Sequence, residues 1–260
     1  MKKIHSAITA IIFVLGGLAG PAQAAESGIR LDHAPTDRAT DLQALQRGAK
    51  VFVNYCLNCH GAQSLRYNKL KDIGISEDLI RDNLLFTGGK VGDLMTTAMT
   101  AKDAKEWFGA APPDLSVIAR ARSSAAGSGA DWLYTYLRTF YRDSSRENGW
   151  NNLAFPNVGM PHALYELQGE QVAKFVHEKD PHDASKTVER FEKFELVKPG
   201  RMNKLEYDNT VADLVGFLVW MSEPVAAKRR QLGIWVFLFL GLLLLPCAYM
   251  LNRAYWKDIH

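Results

Sequence analysis

Two cysteines and a histidine stand together in the string Cys56-Leu57-Asn58-Cys59-His60. Two thiols on one helical turn can form thioethers with the two vinyl groups of a single porphyrin, and the imidazole that follows then lies beneath the iron. Cys-x-x-Cys-His is therefore typical of covalent haem attachment. The motif predicts one covalent haem c, with thioethers at Cys56 and Cys59 and with His60 as an axial ligand of the iron.

The two cysteines could also serve other chemistry. A structural zinc site needs four ligands and usually two such pairs, whereas this sequence contains a single Cys-x-x-Cys pair. A dithiol oxidoreductase places its pair near a βαβ unit, and no such pattern surrounds Cys56. A disulfide framework needs more than the three cysteines of this chain, of which the third, Cys247, lies in an apolar run. Haem attachment is the best interpretation.

The second axial ligand of the iron is less obvious from the residues. A methionine in this position raises the reduction potential. Met160 lies in a short loop, Asn157–Pro161, from which a side chain can reach the iron without helical constraints. Most methionines, however, are core filler. His162 is the rival, because a histidine there would give bis-histidine ligation and a lower potential. The local sequence does not decide between Met160 and His162 as the second axial ligand.

Composition and charge exclude some classes of protein. The chain has 260 residues, of which 47% are hydrophobic and 23% charged, as in ordinary globular proteins. Its formal charge of +3 is small, and it contains no Lys/Arg-rich block with interleaved aromatic residues. We therefore expect no nucleic-acid partner.

The N-terminus has the features of an export signal. Lys2 and Lys3 precede an apolar stretch, and Ala22-Gln23-Ala24 is a small-x-small cleavage site. Residues 1–24 are therefore predicted to be a cleaved signal peptide. The segment that follows would then fold in the periplasm.

An uncharged apolar run near the other end predicts a membrane anchor. Residues 233–251 would span about 28 Å at 1.5 Å per residue, close to the hydrocarbon thickness of a bilayer. We predict a transmembrane helix at 232–251, a cytoplasmic tail at 252–260 and a periplasmic haem domain at 25–225 of a single-pass inner-membrane protein. The basic segment 226–231 opposes this orientation, but long exported domains translocate largely regardless of charge.

The remaining chain predicts helices with few strands. Helical spacing or start signals occur over residues 42–56, at Ser76, from Thr100 to Gly109, at Asp131 and from Asp208 to Pro224. The helix capped by Asp131 would carry Leu133, Leu137, Phe140 and Tyr141. The segments around 172–176 and 191–197 could form a short hairpin.

Several linked strings resemble those of cytochrome c1, the haem subunit of the cytochrome bc1 complex, in its proteobacterial form. The resemblance covers nearly the whole exported chain and its anchor. The strings are Cys56–His60, Ala111-Pro-Pro-Asp-Leu-Ser116, Arg120-Ala-Arg122, Asp131-Trp-Leu-Tyr-Thr-Tyr136, Asn157-Val-Gly-Met-Pro161 and Phe217–Pro224. The haem pentapeptide alone is generic, whereas the Ala-Pro-Pro-Asp-Leu-Ser string with the C-terminal anchor is specific.

The resemblance implies a fold and a set of haem contacts. The fold is mostly α, a cytochrome c-like haem domain with insertions and little β, followed by one C-terminal transmembrane helix. His60 and Met160 resemble the two axial iron ligands of the family, which favours Met160 over His162. Pro112 and Pro113 resemble the segment that packs beside the haem.

Two arginines complete the implied site. Arg120 and Arg122 resemble basic residues near the haem propionates of the family. A guanidinium that faces two carboxylates makes charge-assisted hydrogen bonds. The alternative is an ordinary solvated helix face, because most arginines lie on the surface.

The resemblance also implies a function. The chain would accept an electron from the Rieske iron–sulfur protein, which takes it from ubiquinol at cytochrome b, and would pass it to a cytochrome c. It would be a non-catalytic electron-transfer subunit of a ubiquinol–cytochrome c reductase, in a dimeric complex.

Three alternatives remain. A free-standing membrane-tethered cytochrome c shuttle would share the motif and an anchor, although its anchor is usually N-terminal. A haem peroxidase would need an open iron position or a second haem motif, and the sequence has one motif. A structural subunit with an incidental haem would lose its spectrum, but not its activity, when Met160 is changed.

Overall fold

The computed structural model describes residues 29–179 and 187–257. Within them the α-helices are α1 (Leu42–Val51), α2 (Glu77–Asn83), α3 (Ala101–Phe108), α4 (Ile118–Ala121), α5 (Gly129–Arg138), α6 (Tyr165–Gln168), α7 (Lys204–Ser222), α8 (Ala226–Phe239) and α9 (Leu245–Lys257). The strands are β1 (Ala62–Arg66), β2 (Leu94–Met95), β3 (Phe140–Arg142), β4 (Trp150–Asn152), β5 (Gly169–Lys179) and β6 (Thr187–Pro199). Helices predominate and the sheets are small, which confirms the predicted fold class. The predicted signal peptide, residues 1–24, lies outside the described residues.

The strands in the described part of the chain form three two-stranded antiparallel sheets, β1–β2, β3–β4 and β5–β6. β5 and β6 pair from Gly169 opposite Pro199 to Lys179 opposite Thr187. This hairpin is longer than the predicted one. Most of its side chains are exposed, so the apolar alternation that identifies a strand is weak along it.

The chain divides into two compact units. The Met160 unit contains the described residues up to Ala34, together with Ala101–Pro112 and Ala119–Val211. The His60 unit contains Pro35–Thr100, Pro113–Ile118 and the described residues from Ala212 onward.

A close helix crossing organises the His60 unit. Gly48 of α1 lies against α7, where an added Cβ would come within 2.1 Å of the Asp213 carbonyl oxygen. Phe52 directly follows α1, and its ring lies 5.5 Å from that of Phe217 on α7. Because glycine alone permits this approach of the two backbones, α1 has a defined orientation as it leads toward Cys56.

A buried carboxylate joins the same elements electrostatically. Asp213 is 3% exposed. It accepts hydrogen bonds from Arg38 Nη1 at 2.8 Å and from Arg47 Nε at 2.5 Å. A carboxylate buried without partners is costly, and here two guanidinium groups compensate it. The 3-10 turn at Thr36–Ala39 and α1 are thereby held on α7.

Helix α5 of the Met160 unit begins earlier than predicted. Ser128 Oγ accepts the Asp131 N–H at 3.1 Å, and Asp131 Oδ2 accepts the Ser128 N–H at 3.3 Å. The two residues form a capping box, so Asp131 is the third residue of the helix and Ser128 is its cap. The predicted continuation to Phe140 and Tyr141 is also wrong, since the helix ends at Arg138 and both aromatics lie in β3.

Helix α7 also begins before its predicted start at Asp208. Asn203 Oδ1 accepts the Glu206 N–H at 3.0 Å, and Glu206 Oε2 accepts the Asn203 N–H at 2.9 Å. This reciprocal pair caps the helix end. Asp208 instead accepts from Arg138 Nε and from Lys204 Nζ, both at 2.7 Å.

The C-terminal helix is long and apolar enough to cross a membrane. It covers 32 residues, Ala226–Lys257, and its apolar window is entirely exposed. It includes the predicted transmembrane segment, 232–251. A π-helical turn at Leu240–Leu244 joins α8 to α9, just before Pro246, which has no N–H to donate. α7 and α8 are separate helices, as Pro224 predicts.

Candidate functional site

The Cys-x-x-Cys-His motif lies where α1 changes its winding. A π-helical turn, Phe52–Cys56, extends α1 into the motif. The N–H groups of Cys59 and His60 both donate to the Cys56 carbonyl oxygen, at 3.1 and 2.8 Å. The two thiols and the imidazole therefore stand on one tight turn, as covalent attachment to a single porphyrin requires.

The imidazole of His60 is oriented by a backbone carbonyl. Its Nδ1 lies 2.8 Å from the Pro113 carbonyl oxygen, which can only accept, so Nδ1 carries the proton. Nε2 then presents its lone pair, and it makes no hydrogen bond to any residue that the structure describes. Desolvation lowers the pKa of His60, against the opposing effects of the Pro113 carbonyl and the Asp114 carboxylate. The ring is a neutral ligand for a metal at neutral pH.

The segment that supplies this carbonyl is itself fastened to the chain that follows the motif. Asp114 accepts the Gln63 N–H at 2.8 Å and the Ser116 N–H at 2.9 Å. Ser116 Oγ accepts the Ser64 N–H at 2.9 Å. These bonds explain why a Pro-Pro-Asp-Leu-Ser string accompanies the motif, because they place Pro113 over His60.

Neither Cys56 nor Cys59 is paired in a disulfide. Desolvation, with a smaller contribution from Cys59, raises the pKa of Cys56 to about 12. Desolvation also raises the pKa of Cys59. Both groups are therefore protonated at neutral pH, and net addition of each S–H across a vinyl double bond would give a thioether. The thiols, their shared turn and the neutral imidazole together fit a covalently bound haem.

Met160 lies in the other unit, in the loop after β4. Its Sδ accepts a hydrogen bond from the Tyr136 hydroxyl at 3.3 Å. Tyr136 is on α5, and its ring stacks on that of Trp132 at 4.7 Å. The side chain of Met160 is thus held by a contact from α5 that the sequence did not indicate.

A buried asparagine holds the first part of this loop. Asn152 is fully buried. Its Oδ1 accepts the N–H groups of Ala154 and Phe155 at 2.8 and 3.1 Å, and its Nδ2 donates to the Tyr136 carbonyl oxygen at 2.7 Å. One side-chain amide therefore joins the loop of Met160 to the helix of Tyr136.

Three more side chains hold the second part of the loop. Asn157 has a left-handed backbone with φ of 62°, and Asn151 Oδ1 accepts its N–H at 2.8 Å. Arg146 Nη1 donates to Asn157 Oδ1 at 3.1 Å, and Asn148 Nδ2 donates to the Gly159 carbonyl oxygen at 2.9 Å. Sequence reasoning missed these residues; the asparagine-rich stretch before Met160 was the available signal.

His162, the rival ligand, packs as a core side chain within the Met160 unit. It is 2% exposed. Its ring stacks on Phe140 at 4.9 Å and meets the edge of Trp150 at 5.1 Å. Burial lowers the pKa of His162 to about 4. Aromatic neighbours of its own unit enclose this ring. A role in core packing therefore explains the histidine at this position, and no iron ligation is needed to explain it.

The two predicted propionate arginines differ in their surroundings. Arg122 is half-buried, and its guanidinium lies 4.4 Å from the Trp132 ring centre and 5.7 Å from that of Phe155. Arg120 is exposed in α4. Their contacts with haem propionates, and the packing of Pro112 and Pro113 beside the haem, stay predictions.

The chain matches one family model and several known proteins. The sequence matches the model of the Cytochrome C1 family over residues 32–191 and 198–259. It is 46% identical to a protein named cytochrome c1 from Allochromatium vinosum, over 91% of this chain and 93% of the relative. It is 30% identical to cytochrome c1 of Rhodospirillum rubrum, over 98% of each chain. It is also 54% identical to a Nitrosomonas europaea protein named ammonia monooxygenase gamma subunit, over 95% of this chain and 97% of the relative.

Proposed function

The chain belongs to the cytochrome c1 family, and from that premise we propose that it takes single electrons from a Rieske iron–sulfur protein and passes them to a cytochrome c. The family consists of haem-bearing, membrane-anchored electron-transfer subunits of the bc1 complex, which also contains cytochrome b and the Rieske protein. The chain is not an enzyme on its own, and its cofactor is one covalent haem c.

The orientation of His60 carries the proposal. With Nδ1 bound to the Pro113 carbonyl oxygen at 2.8 Å, the imidazole has one tautomer and directs Nε2 away from the protein backbone. A histidine held in this way is a stronger and better-oriented axial ligand than a freely rotating one. We assign His60 as the first axial ligand, with Cys56 and Cys59 as the thioether attachments. The bound haem supplies the one-electron chemistry.

Met160 is assigned as the second axial ligand. Its thioether raises the potential relative to a second histidine, as suits an electron acceptor for a high-potential donor. The loop that carries it is held at both ends by side-chain amides, at Asn152 and Asn148. Such support keeps one side chain in one place, which an axial ligand needs. The ring of His162 is instead stacked on Phe140 in the core, so we do not assign it to the iron.

Four further residues are assigned to the haem periphery. Arg122 holds its guanidinium beside Trp132, where a cation can still face a carboxylate, and we assign it and Arg120 to the propionates. Pro112 and Pro113 would pack beside the porphyrin. Changing Arg122 to Lys should keep the covalent haem and lower its potential, since the charge remains but the bidentate geometry is lost.

The proposed topology places the haem domain in the periplasm. Residues 1–24 would be removed after export, residues 25–225 would form the periplasmic domain, and 226–231 would lie at the membrane surface. The segment 232–251 would span the inner membrane and leave 252–260 in the cytoplasm. We further propose that the complex is a dimer, as the resemblance to the family implies.

Two other functions are kept as alternatives. A free-standing membrane-tethered shuttle would use the same motif and an anchor helix. A subunit of an ammonia monooxygenase is suggested by the name of the Nitrosomonas europaea relative. Both differ from the proposal in their partner proteins, which provides the means of separating them.

The test is a redox titration of solubilised membranes combined with affinity purification of the full-length chain. A high-potential c-type α-band that copurifies with cytochrome b and a Rieske signal is the expected result. A c-type band without partners would favour the tethered shuttle. Copurification with an ammonia-oxidising activity, and without cytochrome b, would favour the monooxygenase assembly. A chain without covalent haem would overturn all three.

A further inference from the structure

Tyr136 is placed with more precision than a surface tyrosine of α5 would need. It is 7% exposed. Its ring lies nearly parallel to that of Trp132 at 4.7 Å, and it meets the face of Phe140 at 5.0 Å with an interplanar angle of 66°. Two aromatic contacts from different directions leave the ring one orientation. The position of the hydroxyl is therefore determined by packing.

The hydroxyl points at a single acceptor. It donates to Met160 Sδ at 3.3 Å, and within the described residues it has no second hydrogen-bond partner. The backbone of the same residue is tied to the Met160 loop as well, because Asn152 Nδ2 donates to the Tyr136 carbonyl oxygen at 2.7 Å. Tyr136 is thus joined to the Met160 loop by two contacts, one from its hydroxyl and one to its backbone carbonyl oxygen.

A thioether sulfur has two lone pairs, so one can bind iron while the other accepts a hydrogen bond. A proton donor on the second lone pair draws electron density away from the sulfur. The sulfur then stabilises ferric iron less, while ferrous iron, which needs less donation, is affected little. Hydrogen bonds around an iron ligand are one of the means by which a protein sets a haem potential.

We propose that Tyr136 is a positioning residue for the haem iron, which holds the Met160 side chain in place and raises the reduction potential through its hydroxyl. The proposal rests on the assignment of Met160 as an axial ligand and deepens it. It concerns the hydroxyl alone, since the ring also packs against Trp132 and Phe140 and would serve the fold without it.

The experiment is the substitution Tyr136→Phe in the full-length holoprotein, which removes the hydroxyl and keeps the ring. The midpoint potential should fall, and the reduction equilibrium should shift by about two- to fivefold, since a neutral hydrogen bond to a weak acceptor is modest. A tenfold shift would be 59 mV for one electron. The far-red methionine–iron charge-transfer band of the ferric protein should persist at a changed energy.

Tyr134→Phe is the matched control. Tyr134 is on the same helix, and its ring lies under the Arg138 guanidinium at 4.2 Å. Removal of this hydroxyl should leave the potential and the charge-transfer band unchanged. A fluorinated tyrosine at position 136, which is a stronger donor of nearly the same size, should shift the potential upward. This second variant tests the proposal even if Tyr136→Phe were to fold poorly.

Substitution of Met160 distinguishes a failure of the ligand assignment from a failure of the role proposed for the Tyr136 hydroxyl. Met160→Lys should keep the haem covalent and lower the potential by a large margin; an unshifted potential would mean that Met160 is not the ligand. If Met160→Lys shifts the potential but Tyr136→Phe and the fluorinated variant do not, the role of Tyr136 is refuted. An equal effect of Tyr136→Phe in the Met160→Lys background would also refute it, because no sulfur then remains.

Discussion

The two units support their proposed iron ligands by different means. In the His60 unit, backbone carbonyl groups position the ligand. The Cys56 carbonyl oxygen accepts the His60 N–H, and the Pro113 carbonyl oxygen orients the ring. In the Met160 unit, side chains position the ligand. The Tyr136 hydroxyl donates to the sulfur, and asparagine side-chain amides such as that of Asn152 hold the loop. The His60 ring thus contacts a backbone carbonyl oxygen, a group that every residue has, whereas the Met160 sulfur contacts the hydroxyl of one particular side chain.

The largest expected effect is on the covalent link of the His60 unit. Cys56→Ala together with Cys59→Ala should abolish covalent haem, because no thiol remains on the turn. Haem staining of a denaturing gel measures this directly. Cys247→Ala is the control and should stain normally. Staining of the double variant would show that the haem is attached elsewhere, and the comparison of the two units would lose its basis.

Asp213→Asn tests the stability of the His60 unit. The carboxylate is buried between Arg38 and Arg47, and the substitution removes the negative charge that both guanidinium groups share. We expect a loss of about 3 kcal/mol in unfolding free energy, at the lower end for a buried ion pair because Arg47 is half-exposed. Urea unfolding of the detergent-solubilised holoprotein checks this. Asp72→Asn, in an exposed pair with Lys69, is the control, and equal losses would contradict the prediction.

Asn152→Ala tests the side-chain support of the Met160 unit. It removes the acceptor of the Ala154 and Phe155 N–H groups, the first of which is buried, and this costs about 2 kcal/mol. Added imidazole should then displace Met160 from the ferric iron more readily than in the wild type, while the His60 unit is unaffected. Optical titration with imidazole measures the displacement. Asn83→Ala, at an exposed helix end, should behave as wild type; unchanged displacement in Asn152→Ala would show that the amide is dispensable.

The smallest expected effect is a pH dependence in the Met160 unit. Burial favours a higher pKa for Asp131, but hydrogen bonds from the Ala34 N–H and from Ser128 outweigh it and lower the pKa. This stabilisation is fully present above the unfolded-chain pKa of about 3.9. It is lost as the pH falls through the lower folded-state pKa.

The pH dependence can be isolated with Asp131→Asn. On acidification below pH about 4, wild-type unfolding midpoints in urea should fall more steeply than those of the variant, which has no carboxylate to protonate. Parallel pH profiles would mean that Asp131 does not contribute to acid sensitivity.

Local features of the fold were predicted well because their causes are local. Ser76 caps α2, as its position before Glu77 indicates. Helix α3 ends at Phe108, and Gly109 follows it with a φ of +75°, as a helix-ending glycine does. Pro224 separates α7 from α8. In each case a side chain or a backbone preference acts on neighbours within a few residues.

Element starts were wrong where two capping signals compete. Asp131 and Asp208 are good cap residues by type. The helices instead begin after Ser128 and after Asn203, each of which is paired with an acidic residue three positions on. A pair of residues that can cap each other reciprocally is a better predictor of a helix start than a single cap residue, because the pair satisfies two backbone N–H groups at once.

The sequence by itself determined the haem motif, the apolar anchor and the family, because each depends on residue types at fixed spacing along the chain. The tertiary structure alone decided how the ligands are held. Pro113 meets His60 and Tyr136 meets Met160 only after the chain has folded. Such contacts join residues that are distant in sequence, and a hydrogen bond of this kind depends on distance and direction in space, which residue type and spacing do not specify.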